Sequence, residues 1–154
     1  MPVKPTNKPT TLLQQAYQKF WQGFNLVSAE DEEFCKAFTV HPFPSIRSYQ
    51  DYAIGKPYHI SVGVKFNRHE IQVAAYFNVI DIYRFYSKFK EQIERNAGKN
   101  LMWKCYQIKA RATLYDTAYF DENHGWDGTY QIMMADMILM KKAFEWVPPL
   151  LNND

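Results

Sequence analysis

Cysteine is scarce in this chain, and so is glycine. Its two cysteines, Cys35 and Cys105, stand far apart with no CxxC spacing. That leaves no basis for a thiolate zinc knuckle or a disulfide scaffold. They are expected to be reduced, half-buried thiols, although a single disulfide between them stays open. Six glycines form no phosphate-cradling run, and no serine sits in a G-x-S-x-G elbow. No apolar stretch approaches the ~18 residues of a membrane span. The start, MPVKPTNKPT, lacks the apolar segment of a secretory signal. No membrane partner is therefore expected, and the default compartment is the cytoplasm. Charge is nearly balanced at a formal +2, short of the dense basic footprint of a dedicated nucleic-acid binder.

What the chain has is aromatic residues. They make up 17% of the sequence, with 11 Tyr and 11 Phe, and most fall on periodic faces. That pattern predicts a well-filled core. A length of 154 residues fits one domain. Such a domain buries roughly 68–70% of its unfolded surface and needs no staple. Residues 1–9, rich in Pro, Lys and Thr, read as a disordered leader, and residues 10–150 as a single α+β domain.

The periodicity predicts a helix from Pro9 or Thr10 to Leu26, with Leu13, Ala16, Tyr17, Phe20, Trp21 and Phe24 on one stripe. Ser28 reads as an N-cap, with Asp31 in the capping-box position, for a short helix ending near Phe38. The acidic run Glu30 to Glu33 suits that helix's N-terminus better than a metal. Prolines and Gly55 break residues 41–57, leaving room for a short strand around Ser48 to Ala53. Tyr58 to Phe66 and Ile71 to Phe77 each alternate with period two around the polar turn Asn67-Arg68-His69. This predicts a central hairpin near 58–77. A helix capped by Asn78 and closed by Gly98 follows. Two less regular strands come next, Leu101–Tyr106 and Arg111–Tyr115. A last helix runs from about Gly128 to Val147, ended by Pro148 and Pro149. Together these give an α+β sandwich: an antiparallel sheet of about four strands packed against three or four helices.

Three landmarks carry a family resemblance. Tyr52-Ala53-Ile54-Gly55-Lys56-Pro57-Tyr58-His59-Ile60 precedes the hairpin. The helix ending at Gly98 leads into Leu101-Met102-Trp103, and a Trp126-led helix closes on Phe144 and a proline. Over roughly residues 12–150 the chain resembles the bacterial domain of unknown function 4268. The resemblance implies a domain typically found as the C-terminal part of longer bacterial proteins. Several of those carry an upstream nuclease-like domain and lie near restriction or phage-defence systems. No activity is implied for the domain itself. Because the first helix already falls within the match, no nuclease module is read in this sequence.

Catalytic and metal signatures are sparse. A metal-dependent nuclease needs an acid, then a second acid and a Lys two positions on along a strand. The nearest approach is Asp51 with Glu70-Ile71-Gln72, where Gln replaces Lys. His41, His59, His69, His124 and the two cysteines show no zinc spacing. A Cys–His nucleophile pair has nothing in the sequence to support it. No catalytic residue, metal or cofactor is assigned. Two surfaces carry the remaining hypotheses. Arg47, Lys65, Arg68, His69 and Arg111 form a candidate nucleic-acid set near the hairpin. His59, Lys56, Lys104 and Lys109 could add to it, with Tyr49, Tyr58 or Trp103 for stacking. Solvated strand polars and edge lysines that deter aggregation account for the same residues. The last helix is apolar nearly all round. Ile132, Met133, Met137, Leu139 and Met140 are therefore candidates for a partner surface, such as a second copy of the chain, while a methionine stripe of this kind more often belongs to the core. The sequence reads as a non-enzymatic interaction module, with nucleic-acid binding and a cryptic metal-dependent nuclease as alternatives.

Overall fold

The computed structural model describes residues 8–148; most of the expected leader and the last residues of the expected domain lie outside them. Thr11 starts helix α1 (Leu12–Ala29) with a capping box. Its side chain accepts from the Gln14 amide, and the Gln14 side chain accepts from the Thr11 amide. The stripe residues Tyr17, Phe20, Trp21 and Phe24 are buried, as their spacing requires. Ser28 is not an N-cap but a buried residue in the last turn of α1, where its hydroxyl donates to the Asn25 carbonyl. Asp31 instead caps α2 (Glu32–Ala37), accepting from the Phe34 amide at 2.8 Å. Both residues carry a capping oxygen. The continuation of α1 through Ser28 decides between them.

The sheet has five strands rather than about four: β1 (Tyr49–Ala53), β2 (His59–Lys65), β3 (Glu70–Phe77), β4 (Met102–Cys105) and β5 (Ala110–Thr117). All neighbours are antiparallel in the order β1-β2-β3-β5-β4. The additional strand is β1, in the proline-broken stretch where the sequence allowed one. The central hairpin pairs His59 with Tyr76 through Lys65 with Glu70. It turns through one 3₁₀ turn (Phe66–Arg68), closed by His69 at φ 50°. Period-two alternation sends Ile60, Val62, Val64, Ile71, Val73, Ala75 and Phe77 to one face, and all are buried.

The helix expected over 78–98 is two: α3 (Ile80–Ser87) and α4 (Lys90–Ala97). At the break, the Lys88 and Phe89 amides bond carbonyls three residues back. The Phe89 ring packs against Phe85 and Trp146. α3 thereby leans on β3 and β5 while α4 lies along the final helix. Val79 rather than Asn78 occupies the cap position of α3, with no side-chain bond. Gly98 ends α4 at φ 67°, the left-handed conformation its side-chain-free backbone allows.

Helix α5 (Asp127–Glu145) explains its own composition. It packs on β2, β3 and β5 and also contacts α1, α2 and α4. A helix enclosed in this way is apolar on most of its circumference. Met133, Met137 and Met140 are each 0% exposed, and Ile132 and Leu139 are half-buried against the same core. The three methionines are core, as such a stripe more often is, and of the candidate partner surface only Ile132 and Leu139 keep partial exposure. Both cysteines are free and exposed, not half-buried. No described helix is long and apolar enough to cross a membrane.

Candidate functional site

Each strand has a second face, and among the described residues no helix packs on it. β1 presents Tyr49 and Asp51 there, β2 His59, Ser61, Gly63 and Lys65, and β3 Gln72, Ala74 and Tyr76. β5 adds Arg111, Thr113 and Tyr115. A cavity of about 490 Å³ opens on this face. Asp51, His59, Lys65, Gln72, Tyr76, Lys109 and Arg111 wall it, and Ser61, Gly63 and Ala74 form its floor. The floor is low because its residues are small. At Gly63 a Cβ would stand 3.1 Å from the Ser48 carbonyl, so glycine lets the chain entering β1 close over β2.

The hairpin register places His59 opposite Tyr76. Their rings stack with centroids 5.1 Å apart and planes 27° apart. Across the neighbouring ladder, Asp51 Oδ1 lies 3.5 Å from His59 Nε2. Partial burial works against the Asp51 charge. Hydrogen bonds from His59 and Ser61, with the fields of His59 and His41, outweigh it and hold the carboxyl below its usual range. His41 Nε2 also donates to the Asp51 carbonyl at 2.7 Å, which occupies part of the outer edge of β1.

The cations gather toward the two ends of the cavity. At the β4–β5 end, Lys104 and Arg111 flank the Tyr106 ring at 5.2 and 5.6 Å, with Lys109 in the same turn. At the other end Lys65 Nζ bonds Ser48 Oγ at 3.2 Å, and Arg47 Nη1 donates to the Tyr49 hydroxyl at 3.1 Å. Asp51 is the only acid among the residues lining the cavity.

Of the five candidate nucleic-acid residues, Lys65 and Arg111 share the cavity and Arg47 stands at its margin. Arg68 does not join them. It lies in the hairpin turn, outside that cavity, where it shares a separate groove with Lys65 and with Leu13 and Tyr17 of α1. His69 is exposed in that turn, with its backbone carbonyl taken by the Ala118 amide. Tyr58 is buried among Phe77, Tyr86 and Phe144 and cannot stack on a ligand. Trp103 faces the helices, donating its indole N–H to Glu94. The nuclease-like set is only partly assembled: Asp51 and Gln72 line one cavity, and Glu70 does not. Asp51 is on β1, Glu70 and Gln72 are on β3, and β2 lies between them. Gln72 Nε2 donates to Glu70 Oε2 at 2.7 Å. Among the described residues no group of three or more His, Cys, Asp or Glu side chains could hold a metal ion.

The sequence reading missed Tyr76 as a platform. Alternation placed it on the polar face, but only its pairing with His59 makes it half of a ring stack. Tyr106 was also missed, because its role depends on Lys104 and Arg111 converging across the β4–β5 ladder.

No curated protein and no solved structure matches the chain. The model of the family described as Domain of unknown function (DUF4268) matches residues 16–147, from within α1 to just past α5, and the chain belongs to that family.

Proposed function

We propose that the open face of the sheet binds single-stranded nucleic acid. The observation that carries this reading is the stacked His59–Tyr76 pair beside Arg111 and Lys109, above a floor of small side chains. Half-exposed rings such as these can still stack unpaired bases of any sequence, while flanking cations follow the phosphates. A sheet whose helices all lie behind it offers such a strand a continuous platform. A duplex hides its base faces and would gain only from the cations. The interaction module is thus a binding domain, and its partner is nucleic acid. A setting beside restriction or phage-defence systems, implied by the family resemblance, fits that partner. The wide separation of Asp51 from Glu70 favours binding without strand cleavage.

Fluorescence anisotropy with labelled oligonucleotides of about 12 residues tests this. Single-stranded DNA and RNA are expected to bind more tightly than the matching duplex. The affinity should fall as salt rises, with the log–log slope that phosphate neutralisation produces. Absence of binding at low salt, or equal affinity for the duplex, would overturn the proposal.

A further inference from the structure

Asp136 lies in the middle of α5 and is 5% exposed. It is the only Asp, Glu, Lys, Arg or His among the buried residues of the described chain. Its Oδ2 is buried and receives no hydrogen bond. Asp116, near the end of β5, lies close enough for its carboxyl to hydrogen-bond that of Asp136 once a proton stands between them. Lys99, in the connection after α4, reaches both. Its Nζ is 3.4 Å from Asp116 Oδ2 and 3.8 Å from Asp136 Oδ1.

Two carboxylates and one ammonium leave this cluster with a net negative charge, and Asp136 carries its share of it out of water while the Asp116 and Lys99 side chains stay 30% and 44% exposed. Two carboxylate oxygens cannot hydrogen-bond to each other without a proton between them. One added proton cancels the excess charge and turns the orphaned oxygen into a donor. We propose that Asp136 and Asp116 share a single proton, forming a pH-responsive clasp between α5 and the sheet that holds while the proton is bound and loosens when it leaves.

The electrostatics of the two groups diverge as such sharing requires. Burial first, then the hydrogen bond with Asp116, push Asp136 up to about 7; Lys99 opposes this and the Asp116 charge adds to it. Burial also works against the charge of Asp116. The Thr117 amide, Asp136 and Lys99 outweigh it and hold Asp116 below its usual range. The proton therefore resides on Asp136 and is donated to Asp116. Among the described residues no other charged side chain pairs with Asp116, Asp136 or Lys99. α4 buries Ile93 and Ala97, and its Glu94 is engaged by the Leu101 amide and the Trp103 indole. The partner of Asp116 on β3 is Ile71.

The sign follows from proton linkage. Between the ordinary carboxyl value of 3.8 and about 7, the folded chain holds a proton at Asp136 that the unfolded chain does not. The contribution of this group to stability is complete at the acid end of that window and declines as pH rises through it. Asp116 acts oppositely, losing its contribution only as pH falls below 3.8.

Carboxyl-carbon NMR titration of the full chain tests the clasp, with the Asp136 resonance assigned by its loss in Asp136→Asn. The wild-type resonance is expected to titrate near neutrality, and in Lys99→Met to titrate at higher pH. Urea unfolding at about pH 5.5 and pH 8 should show Asp136 lowering the folding constant by about tenfold or more at the higher pH. Asp136→Asn supplies an N–H that does not titrate, so it should remove that part of the difference. Ionisation of Asp136 in the ordinary carboxyl range would overturn the clasp. So would a pH difference in Asp136→Asn as large as in the wild type.

Discussion

The Tyr130 hydroxyl donates to the Phe20 carbonyl at 2.7 Å, joining α5 to α1 across most of the chain. Burial, aided by the nearby Asp127 charge, pushes the phenol above its ordinary range, so it remains a donor at neutral pH. Gly23 makes the approach possible, because a Cβ there would collide with that hydroxyl. Glycine inside a helix costs about 0.5–1 kcal/mol relative to alanine. Gly23→Ala is nevertheless expected to destabilise the chain, by about 1–3 kcal/mol, as overpacking outweighs helix propensity. Tyr130→Phe should cost about 1 kcal/mol. In the double variant the oxygen that alanine strikes is gone, so the combined effect should be smaller than the sum of the two. Urea midpoints of the four proteins decide this, and strict additivity would show that the collision is not the cause.

Thr113 gives a prediction of opposite sign. It is buried at the centre of β5 on the open face, and its hydroxyl has no hydrogen-bond partner. Valine keeps the branched shape suited to a strand and removes the unsatisfied oxygen. Thr113→Val should stabilise the domain by about 1 kcal/mol in thermal or urea unfolding. A loss of stability would mean that the hydroxyl has a partner, such as a bound water.

The open-face reading separates two arginines that sequence placed in one set. Arg111 borders the cavity, whereas Arg68 stands with α1 residues beside the hairpin turn. Arg111→Ala should weaken oligonucleotide binding and reduce the salt slope by about 0.7 for each phosphate that Arg111 neutralises. Arg68→Ala should leave both nearly unchanged. Tyr76→Ala should cost about 1–3 kcal/mol of affinity by removing a stacking surface, with little change in salt slope. Equal effects from the two arginines would mean that binding follows overall charge rather than this face.

How much of this was legible depends on the range of the interaction concerned. The β2–β3 hairpin could be read because its signal is local: alternation on both sides of a polar turn. Gly98 was legible for the same reason. The break at Lys88–Phe89 was not, because it depends on Phe89 meeting Trp146 from the far end of the chain. The apolar circumference of α5 was visible in sequence, but a one-dimensional reading cannot tell an enclosed helix from one awaiting a partner. The site divides similarly. Lys65 and His59 follow from strand alternation, while Arg111 reaches them only through the β3–β5 pairing. Asp116 and Asp136 gave no signal at all, since neither has a neighbour in sequence that marks it as buried.

Asp51 supplies a prediction that bears on both stability and binding. Its carboxyl is held below the ordinary 3.8 by His59, Ser61 and His41, against the opposing effect of burial. A depressed carboxyl stabilises the fold above its unfolded value, and that contribution is lost as pH falls through the folded value. Wild-type protein should therefore lose stability more steeply than Asp51→Asn below about pH 4, and the two urea-midpoint curves should converge in strong acid. The side chain is 49% exposed, so at neutral pH the substitution should cost no more than about 1 kcal/mol. Parallel curves across the acid range would remove His59 as the partner that matters. On the binding side, Asp51 is the only acid among the residues lining a cavity bordered by Lys65, Lys109 and Arg111. Neutralising it should strengthen oligonucleotide binding, most at low salt where charge is least screened. Weaker binding would instead mean that the carboxylate accepts hydrogen bonds from a base, and would move Asp51 from an electrostatic cost to a recognition group.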